Sequence, residues 1–398
     1  MKLRYSFRLD PCPAQQAALA RAFGCARVVF NDALAVRRAA NEAGLPFVTD
    51  GELSAWLTAV KKTPERLWLG EVSSVVLQEA IRDLNAAYRN YFASVNGKRR
   101  GPKMGPPRFR SRKDGRQAIR FTANAKFRVL SNGRLRLAKI GDVKVRWSRG
   151  LPSVPSSVTV IKDAAGRYFA SFVVCVVPSP MPEIHAECGL DLGLSHFAVL
   201  DDGTKIAAPR LLRRTEKKLK RAQRDLSRKL SGSKNRERAR VRVARAHTRV
   251  ADARRDFHHQ LSARIIRENQ AVYVEDLAVR GLARTRLAKS VHDAGWSTFI
   301  SMLEYKAALF GRQCTRIGRF EPTSQVCSAC GRKDGPKPLH VRAWTCLACD
   351  TAHDRDVNAA KNILALGRRE RLNACGGGKT PPLVVAAARE TGSHRGVA

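Results

Sequence analysis

Four cysteines in two Cys-x-x-Cys pairs constrain this chain more than any other feature. Cys327 and Cys330 form the first pair, Cys346 and Cys349 form the second, and fifteen residues separate the pairs. Two pairs at this spacing are typical of a zinc ribbon, in which each pair makes a tight turn and a hairpin brings the turns together. Because four thiolate ligands leave zinc no open coordination position, the predicted role of this metal is structural.

The charge of the chain points to a polyanionic partner. Its 398 residues contain 74 Lys and Arg against 34 Asp and Glu, a formal net charge of +40. Such an excess repels itself unless a polyanion neutralises it, so nucleic acid is the expected partner. The longest apolar run, Tyr168–Val177, is too short to cross a bilayer, and the chain opens on a charged strand. We therefore expect no membrane association, and a location in the cytoplasm or at the nucleoid.

The remaining six cysteines lie far apart in the sequence, mostly in apolar surroundings. This distribution favours reduced, buried thiols over disulfides. The six are Cys12, Cys25, Cys175, Cys188, Cys314 and Cys375.

Hydrophobic periodicity predicts an α+β multidomain protein. Residues Lys2–Leu9 alternate like a strand, whereas Ala14–Leu34 and Val75–Phe92 have the spacing of amphipathic helices. Short alternating segments then continue to Val177, with Asn132-Gly133 as a hairpin turn, and together they predict a small β-barrel. If the first strand pairs with them, the barrel comprises residues 1–10 and 115–180, and residues 11–114 are a helical insertion.

Two segments concentrate positive charge. Lys98–Lys113 groups cations around one aromatic side chain, which suits a loop that follows phosphates better than a solvated linker, although the linker stays possible. Arg210–Arg249 contains seventeen Lys or Arg against three acids. Ser231–Ser233 divides this second segment into two predicted antiparallel helices.

Three carboxylates stand at positions that need an explanation. Asp191 lies within an apolar strand, Glu275 lies at the end of a buried strand, and Asp356 lies at the start of a helix. Buried acids are costly unless a cation pairs with them, and this order of elements is how ribonuclease H-like folds gather an acidic cluster. Such a cluster holds two Mg²⁺ ions through oxygen ligands. Each acid alone could equally be a bulge residue or an ion-pair partner, and Asp354 is a rival for the third ligand.

With these residues in view, the chain resembles the TnpB family of transposon-encoded relatives of type V CRISPR effector nucleases. The resemblance extends from Met1 to about Gly367. The matching motifs are Gly189–Gly193, Val274–Leu277, Leu287–Ser290, Asp293–Trp296, Phe320–Ser324 and Asp354–Ala360. The pair of basic helices in Arg210–Arg249 also matches the family.

The resemblance implies a wedge β-barrel interrupted by a helical recognition domain, followed by an RNase H-like α/β domain of the RuvC type. The nuclease domain would span residues 183–322 and 351–367, with the zinc ribbon at 323–350 inserted. Asp191, Glu275 and Asp356 would be its catalytic acids and Mg²⁺ ligands. The tail at 368–398 matches no motif of the family, and its basic, Gly- and Pro-rich composition predicts disorder.

The function implied by the resemblance is that of a prokaryotic RNA-guided DNA endonuclease. A guide RNA from the transposon end and target DNA would be its partners, with one protein monomer per RNA. Basic side chains of the two charged segments would contact the nucleic acids: Arg99, Arg100, Lys103, Arg108, Arg110, Arg112, Arg213, Arg214, Lys217, Lys218, Arg221 and Arg224.

Two other functions remain open at this stage. The first is a non-cutting protein, either an RNA-guided repressor or a transposition accessory factor, which would share every basic segment and the zinc ribbon. The second is a DNA-joining transposase, because acidic clusters serve strand transfer as well as hydrolysis. The three acids separate the nuclease from the non-cutting protein, whereas only the resemblance, and no residue, argues against the transposase.

Overall fold

A computed structural model describes residues 1–99, 101–338, 340–375 and 389–391. Arg100, one of the predicted nucleic-acid contacts, falls outside these residues. The chain divides into two compact units, and the division falls between Val176 and Val177, beside the proline-rich stretch 178–182. Within the described residues, no helix is both long enough and apolar enough to cross a membrane.

The first unit begins with strand β1 and three helices. These are β1 (Lys2–Asp10), α1 (Pro13–Glu42), α2 (Asp50–Val60) and α3 (Ser74–Val95), with a 3-10 turn at Pro64–Glu71 before α3. Helices α1 and α3 pack against each other through apolar stripes that include Phe23 and Phe30 on α1 and Leu77 and Leu84 on α3, all of them buried. The two helices predicted from periodicity are therefore confirmed, and α1 continues beyond its predicted end.

The other strands of this unit form one curled sheet with β1. They are β2 (Gln117–Thr122), β3 (Arg128–Val129), β4 (Arg134–Leu137), β5 (Gly141–Arg146), β6 (Ser157–Lys162), β7 (Tyr168–Cys175) and the late strand Arg389–Thr391, numbered β15. Their order is β2-β6-β7-β1-β5-β4-β3, and β15 runs parallel to β1. The predicted pairing of the first strand with the later ones is confirmed, because β1 pairs with β7 from Lys2↔Cys175 to Leu9↔Tyr168.

The sheet differs from the closed barrel that the sequence predicted. Among the described strands no hydrogen-bonded ladder joins β2 to β3, so the sheet stays open at these ends. A short 3-10 turn at Ala123–Ala125 and the left-handed residue Lys126 (φ 51°) lie between the two strands. Strand β3 is only two residues long and pairs with β4 alone.

The second unit contains a five-stranded sheet flanked by helices. Its elements are β8 (Glu187–Asp191), β9 (His196–Leu200), β10 (Lys205–Ala207), α4 (Leu211–Ser227), α5 (Lys234–Glu268), β11 (Ala271–Glu275), α6 (Val279–Leu282), α7 (Ala288–Ala294), α8 (Trp296–Phe310), β12 (Gln313–Ile317), β13 (Ala343–Thr345), β14 (Ala352–Asp354) and α9 (Arg355–Cys375). The strand order is β10-β9-β8-β11-β12. Strands β8, β11 and β12 are parallel, whereas β9 and β10 are antiparallel.

Both faces of this sheet are covered, which explains why β11 reads as a continuous apolar run. Successive side chains of a strand point to opposite faces. Val272 and Val274 join the core made with α5 and α8, while Ala271 and Tyr273 pack in a second cluster with Ile363 of α9.

Helix α9 lies unusually close to the sheet, at two glycines. A Cβ atom on Gly189 of β8 would lie 2.1 Å from the carbonyl oxygen of Ala360, and one on Gly367 would lie 2.1 Å from the ring of Tyr273. Only glycine permits this approach. The close packing places the start of α9 beside the carboxyl ends of β8 and β11.

The two basic helices α4 and α5 are confirmed, and the loop around Ser231–Ser233 separates them. Ser233 caps α5 by accepting a hydrogen bond from the Arg236 amide, and Gly232 takes a positive φ of 83°. The buried carboxylate of Asp293 accepts the Leu212 amide at 2.9 Å and so satisfies the start of α4.

Two expectations about the chain require correction. Helix α9 continues to Cys375, so residues 368–375 are helical rather than part of a disordered tail; residues 376–388 and 392–398 lie outside the described residues. The free cysteines are also less uniform than predicted, because Cys12 and Cys175 lie at the ends of elements and are exposed. Cys25 and Cys188 are buried, Cys314 is half-buried, and the side chain of Cys375 is outside the described part.

Candidate metal centres

The four cysteines come together as one group. Sγ–Sγ distances are 3.6 Å between Cys327 and Cys349 and 3.7 Å between Cys330 and Cys346, and all four sulfurs lie within 4.8 Å of one another. Sulfurs at the corners of a tetrahedron, each ~2.3 Å from zinc, would be about 3.8 Å apart. The donor set and its spacing therefore suit zinc.

Both cysteine turns have the same backbone geometry. The Cys327 amide donates to the Arg332 carbonyl and its own carbonyl accepts the Gly331 amide at 2.8 Å. In the second turn the carbonyl of Cys346 accepts the Asp350 amide at 3.0 Å. Gly331 and Asp350 both adopt positive φ, 74° and 53°, which closes each turn back toward its first cysteine.

A histidine that the sequence analysis did not single out lies beside this group. His353 Nε2 is 3.0 Å from Cys327 Sγ, and its ring packs on Trp344 with centroids 4.7 Å apart. His353 and Trp344 are cross-strand partners in β13 and β14. A ring N–H directed at a thiolate stabilises its negative charge, so His353 is placed to support the cysteine ligands.

Asp191 is the last residue of β8, whereas the sequence analysis predicted a position in the middle of the strand. Burial raises the pKa of its carboxyl to about 8, and the carboxylates of Glu275 and Asp356 contribute to the rise, against the opposing fields of Arg355 and Arg342. The electrostatic influence of both other acids on Asp191 means that the fold gathers the three predicted residues in one region.

Glu275 ends the parallel neighbour of β8. Leu190 pairs with Val274 across the two strands, so Asp191 and Glu275 follow at the same edge of the sheet. The Thr323 hydroxyl donates a hydrogen bond of 2.5 Å to Glu275 Oε1. Burial raises the pKa of Glu275, and this hydrogen bond opposes the rise.

Asp356 is the second residue of α9, and its rival Asp354 has a different task. Asp354 Oδ1 accepts the amides of Asp356 and Val357, each at 3.1 Å, and its other oxygen pairs with Lys205 at 2.6 Å. Asp354 therefore caps the helix. The charge that reaches Asp191 is that of Asp356, which also pairs with Arg342 at 3.1 Å.

The acids are less tightly grouped than the cysteines. Within the described chain, the four cysteines are the only set of three or more Cys, His, Asp or Glu residues whose ligand atoms all lie within 4.8 Å of one another. Glu275 is held by Thr323, and Asp356 by Arg342. Three carboxylates provide the oxygen ligands that a hard divalent cation such as Mg²⁺ prefers. Such a cation would take the place of the proton on Asp191 and would compete with Arg342 for Asp356.

A hydrogen-bonded connection joins the cysteine group to the acids. Asn358 and Asn362 of α9 both donate to the carbonyl oxygens of Thr323 and Val326, and Asn358 also accepts the amide of Ser328. The sequence motifs that carry the resemblance include Thr323 and Asn358, but the sequence analysis predicted no role for either residue. The sequence signal that could have pointed to this connection is a pair of asparagines, Asn358 and Asn362, one helical turn apart and shortly after the second cysteine pair.

The predicted basic contacts fall into two groups. Arg213, Arg214, Lys217, Lys218, Arg221 and Arg224 lie on α4, and Lys103, Arg108 and Arg112 lie exposed in the loop after α3. Arg110 also has contacts within its own unit: it pairs with Asp83 at 3.1 Å and lies over the ring of Phe30 at 3.7 Å. Arg99 is half-buried and donates to the carbonyl of Pro102.

Helices α4 and α5 enclose a basic groove of about 990 Å³. Its cations include Lys218, Arg221 and Arg224, which were named individually as predicted contacts. They also include Arg228, Arg242, Arg245 and Arg249, which belong to the predicted basic segment Arg210–Arg249. Its acid Asp225 pairs with Lys229 and Arg242, so the groove stays strongly positive. Arg242, Arg245 and Arg249 lie on α5, and the packing of the two helices brings them opposite α4.

Three family models match this chain. Residues 171–286 match a model described as a probable transposase, and residues 296–363 match the Cas12f1-like TNB domain. Residues 1–45 match a helix-turn-helix model. Here that segment folds as strand β1 followed by the single helix α1.

Two curated relatives align over nearly the whole chain. A protein of Streptomyces pristinaespiralis named “Putative RNA-guided DNA endonuclease” is 44% identical over 385 residues, covering 96% of this chain and 92% of the relative. InsQ of Escherichia coli (strain K12), which has the same descriptive name, is 30% identical over 388 residues, covering 94% and 93%.

Among solved structures, a Cas12f1–sgRNA–target DNA complex matches with a TM-score of 0.51 and 13% identity. The match covers 88% of this chain and 82% of that one. At this identity the likeness is one of fold.

Proposed function

The chain belongs to the TnpB family, and we propose that it is an RNA-guided, Mg²⁺-dependent DNA endonuclease. Its catalytic acids would be Asp191, Glu275 and Asp356. The observation that carries the proposal is the electrostatic coupling of these acids. Asp191 and Glu275 end adjacent parallel strands, Asp356 starts the helix packed on them, and both Glu275 and Asp356 raise the pKa of Asp191. Mutual repulsion of this kind is expected where a fold assembles carboxylates for a divalent cation.

The division of labour at the site follows from the contacts around each acid. When bound, Mg²⁺ would activate water as nucleophile and stabilise the leaving oxygen of the phosphodiester. Thr323 holds one oxygen of Glu275 and leaves the other available. Asp354 caps α9, so the Asp356 side chain is not needed as the cap and would bind a cation once the cation displaces Arg342.

Guide RNA and target DNA are the proposed partners. The names of the curated relatives, and the sgRNA and target DNA bound in the matched Cas12f1 complex, motivate this assignment. The groove between α4 and α5 offers seven cations to a phosphate backbone, and the loop residues Lys103, Arg108 and Arg112 offer a second exposed group in the other unit. Base pairing would supply sequence specificity, while these side chains contact phosphates.

The direct test compares Asp191→Asn with wild type. Each protein is purified with its copurifying RNA and given target DNA in Mg²⁺. We expect the variant to lose cleavage by about a thousandfold or more while binding target within about twofold of wild type, because only the metal ligand is changed. Asp256→Asn on α5, whose carboxylate accepts a hydrogen bond from Gln260, is the matched control and should cut normally.

A non-cutting RNA-guided DNA-binding protein is the alternative, and one observation favours it. Asp356 is paired with Arg342, and the three acids are not grouped within 4.8 Å. If wild-type protein with its RNA binds target tightly but leaves it intact in Mg²⁺, the alternative is correct. Sequencing the copurified RNA tests the guided part separately.

A further inference from the structure

We propose that the zinc ribbon positions Glu275 through the hydroxyl of Thr323, so that zinc binding at the cysteines and divalent-metal binding at the acids are coupled. Thr323 is then a positioning residue for the metal site. The inference rests on the proposed role of Glu275 as a metal ligand, and its test includes readouts that do not require cleavage.

The contact between Thr323 and Glu275 is short and sheltered. The hydroxyl lies 2.5 Å from Glu275 Oε1, and Thr323 is only 6% exposed. Across the described residues, this is the only side-chain hydrogen bond that Glu275 receives. A carboxylate at the end of a strand keeps rotational freedom unless a donor fixes one of its oxygens, and here Thr323 is that donor.

The backbone of Thr323 is itself fixed by α9. Its carbonyl accepts from Asn362 at 2.7 Å and from Asn358 at 3.4 Å, and the carbonyl of Val326 accepts from the same two amides at 2.7 and 2.8 Å. Asn358 and Asn362 are 1% and 8% exposed. Two buried amides that each bridge the same pair of carbonyls define the path of residues 323–326 tightly.

The same asparagine reaches the first cysteine turn. Asn358 Oδ1 accepts the amide of Ser328 at 2.8 Å, and Ser328 directly follows the predicted zinc ligand Cys327. Zinc would fix Cys327, the turn would fix Val326 and Ser328, and Thr323 lies four residues before Cys327. Loss of zinc would free one end of this hydrogen-bonded network, and it should therefore loosen the placement of Thr323 and with it that of Glu275.

Among the described residues, the ribbon also contacts Asp356 through Arg342, whereas Asp191 is positioned by the sheet and α9. Arg342, which precedes β13, pairs with Asp356 and accepts the Arg355 amide on its carbonyl at 2.7 Å. Asp191 belongs to β8, whose position is set by the pairing with β11 and by the packing of α9. The ribbon therefore contacts two acids of three with different effects: Thr323 orients Glu275, whereas Arg342 competes with a cation for Asp356. Asp191 should remain in place when zinc is removed.

The test uses Thr323→Val, which keeps the shape of the side chain and removes the donor, and Thr323→Ser, which keeps the donor. Thr248→Val on α5 is the control, because its hydroxyl bonds only the Arg245 carbonyl of its own helix. Mn²⁺ binding to the purified full chain is measured by electron paramagnetic resonance, and zinc content is measured in the same samples. Turnover of target DNA by the RNA-loaded protein is measured separately.

We expect Thr323→Val to weaken Mn²⁺ binding by about 10- to 100-fold, the range for loss of a group that orients a metal ligand, with zinc content unchanged. Thr323→Ser should stay within about threefold of wild type, and Thr248→Val should be unaffected. In turnover, kcat should fall in Thr323→Val while KM for target stays constant.

The proposal is overturned if Thr323→Val binds Mn²⁺ like wild type, or if Thr323→Ser is as defective as Thr323→Val. If Thr323→Val fails to fold, Cys330→Ser replaces it, because loss of this exposed predicted ligand should weaken the binding of both zinc and Mn²⁺. If the zinc-depleted protein binds Mn²⁺ with unchanged affinity, the proposal is also overturned. A wild type that binds Mn²⁺ but never cuts would instead refute the proposed function, leaving the coupling measurable.

Discussion

Arg342 illustrates how a single side chain can set the affinity of an acidic site. Its guanidinium pairs with Asp356 at 3.1 Å and lowers the pKa of Asp191 against the raising effect of burial. A cation that binds at the site must displace this ion pair. Arg342 and a divalent ion therefore compete for the same carboxylate.

We predict that Arg342→Gln raises the affinity of the protein for Mn²⁺ by about three- to tenfold in the absence of nucleic acid, because a competing positive charge is removed. Calorimetric titration of the full chain measures this. Arg316→Gln, which removes a cation paired with Glu304 at 2.7 Å, serves as the comparison and should change the affinity little. Weaker Mn²⁺ binding in Arg342→Gln would contradict the competition.

His258 gives the second unit a stability that depends on pH. Burial lowers the pKa of this histidine to about 4, and the neighbouring charges of Arg254 and His259 act in the same direction, although its hydrogen bond to the Ala294 carbonyl opposes the change. The unfolded chain takes up a proton near pH 6.5 and the folded one does not. Stability from this residue is therefore full above about pH 6.5 and declines as the pH falls toward 4.

We predict that the free energy of unfolding of wild type, relative to His258→Gln, declines by up to about 1.4 kcal/mol per pH unit between pH 6.5 and 4. Glutamine can still donate to Ala294 but does not titrate. Urea denaturation of both proteins at a series of pH values measures the difference. Parallel pH profiles for the two proteins would show that the histidine does not contribute this dependence.

At the level of elements, the packing of α9 on β8 fixes Asp356 relative to Asp191. No side chain fits between Gly189 and the helix, because a Cβ atom would lie 2.1 Å from the Ala360 carbonyl. Ion pairs from Arg368 and Arg371 to Glu187, at 2.6 and 2.5 Å, hold the same strand to the later part of the helix.

We predict that Gly189→Ala destabilises the second unit by about 3 kcal/mol, since backbone must move to admit the methyl group. Cleavage should fall in parallel because the start of α9 shifts. Gly281→Ala is the control; its Cβ would come no closer than 4.0 Å to any neighbour and should change stability by less than about 1 kcal/mol. Chemical denaturation and cleavage assays on both variants decide the matter, and a fully stable Gly189→Ala would contradict the close approach.

The same elements show what could be predicted from the sequence and what could not. Periodicity located the strands that end in Asp191 and Glu275 and the helix that starts near Asp356, because local patterns report local structure. The partners of these acids, Thr323 and Arg342, come from other parts of the chain, and no local pattern predicts a hydrogen bond across 48 residues. The intramolecular contacts of Arg110 could not be predicted for the same reason: its contacts with Asp83 and Phe30 depend on how the loop folds back.

At the scale of the whole molecule, a net charge of +40 should make nucleic-acid binding strongly salt-dependent. Each phosphate contact adds about 0.9 to the negative slope of log affinity against log salt for duplex DNA. The groove between α4 and α5 concentrates seven cations and is where such contacts should be numerous.

We predict that Arg221→Gln combined with Arg245→Gln, one change on each wall of the groove, reduces the magnitude of this slope by up to about 1.8 for duplex DNA. Fluorescence anisotropy over a sodium chloride series measures it. Arg264→Gln, outside the groove on the same helix as Arg245, should leave the slope unchanged. Equal slopes for all three proteins would remove the groove as a binding surface.

Strand β15 completes β1 from a great distance along the chain. Residues 389–391 lie parallel to Arg4–Ser6, on the edge of β1 opposite to β7. On the ribosome the residues Arg4–Ser6 are synthesised long before their neighbour Arg389–Thr391. Nascent chains that stall before then carry an unpaired stretch of backbone, the kind of edge that recruits other polypeptides. Chains truncated before residue 389 should thus aggregate as well as lack this strand.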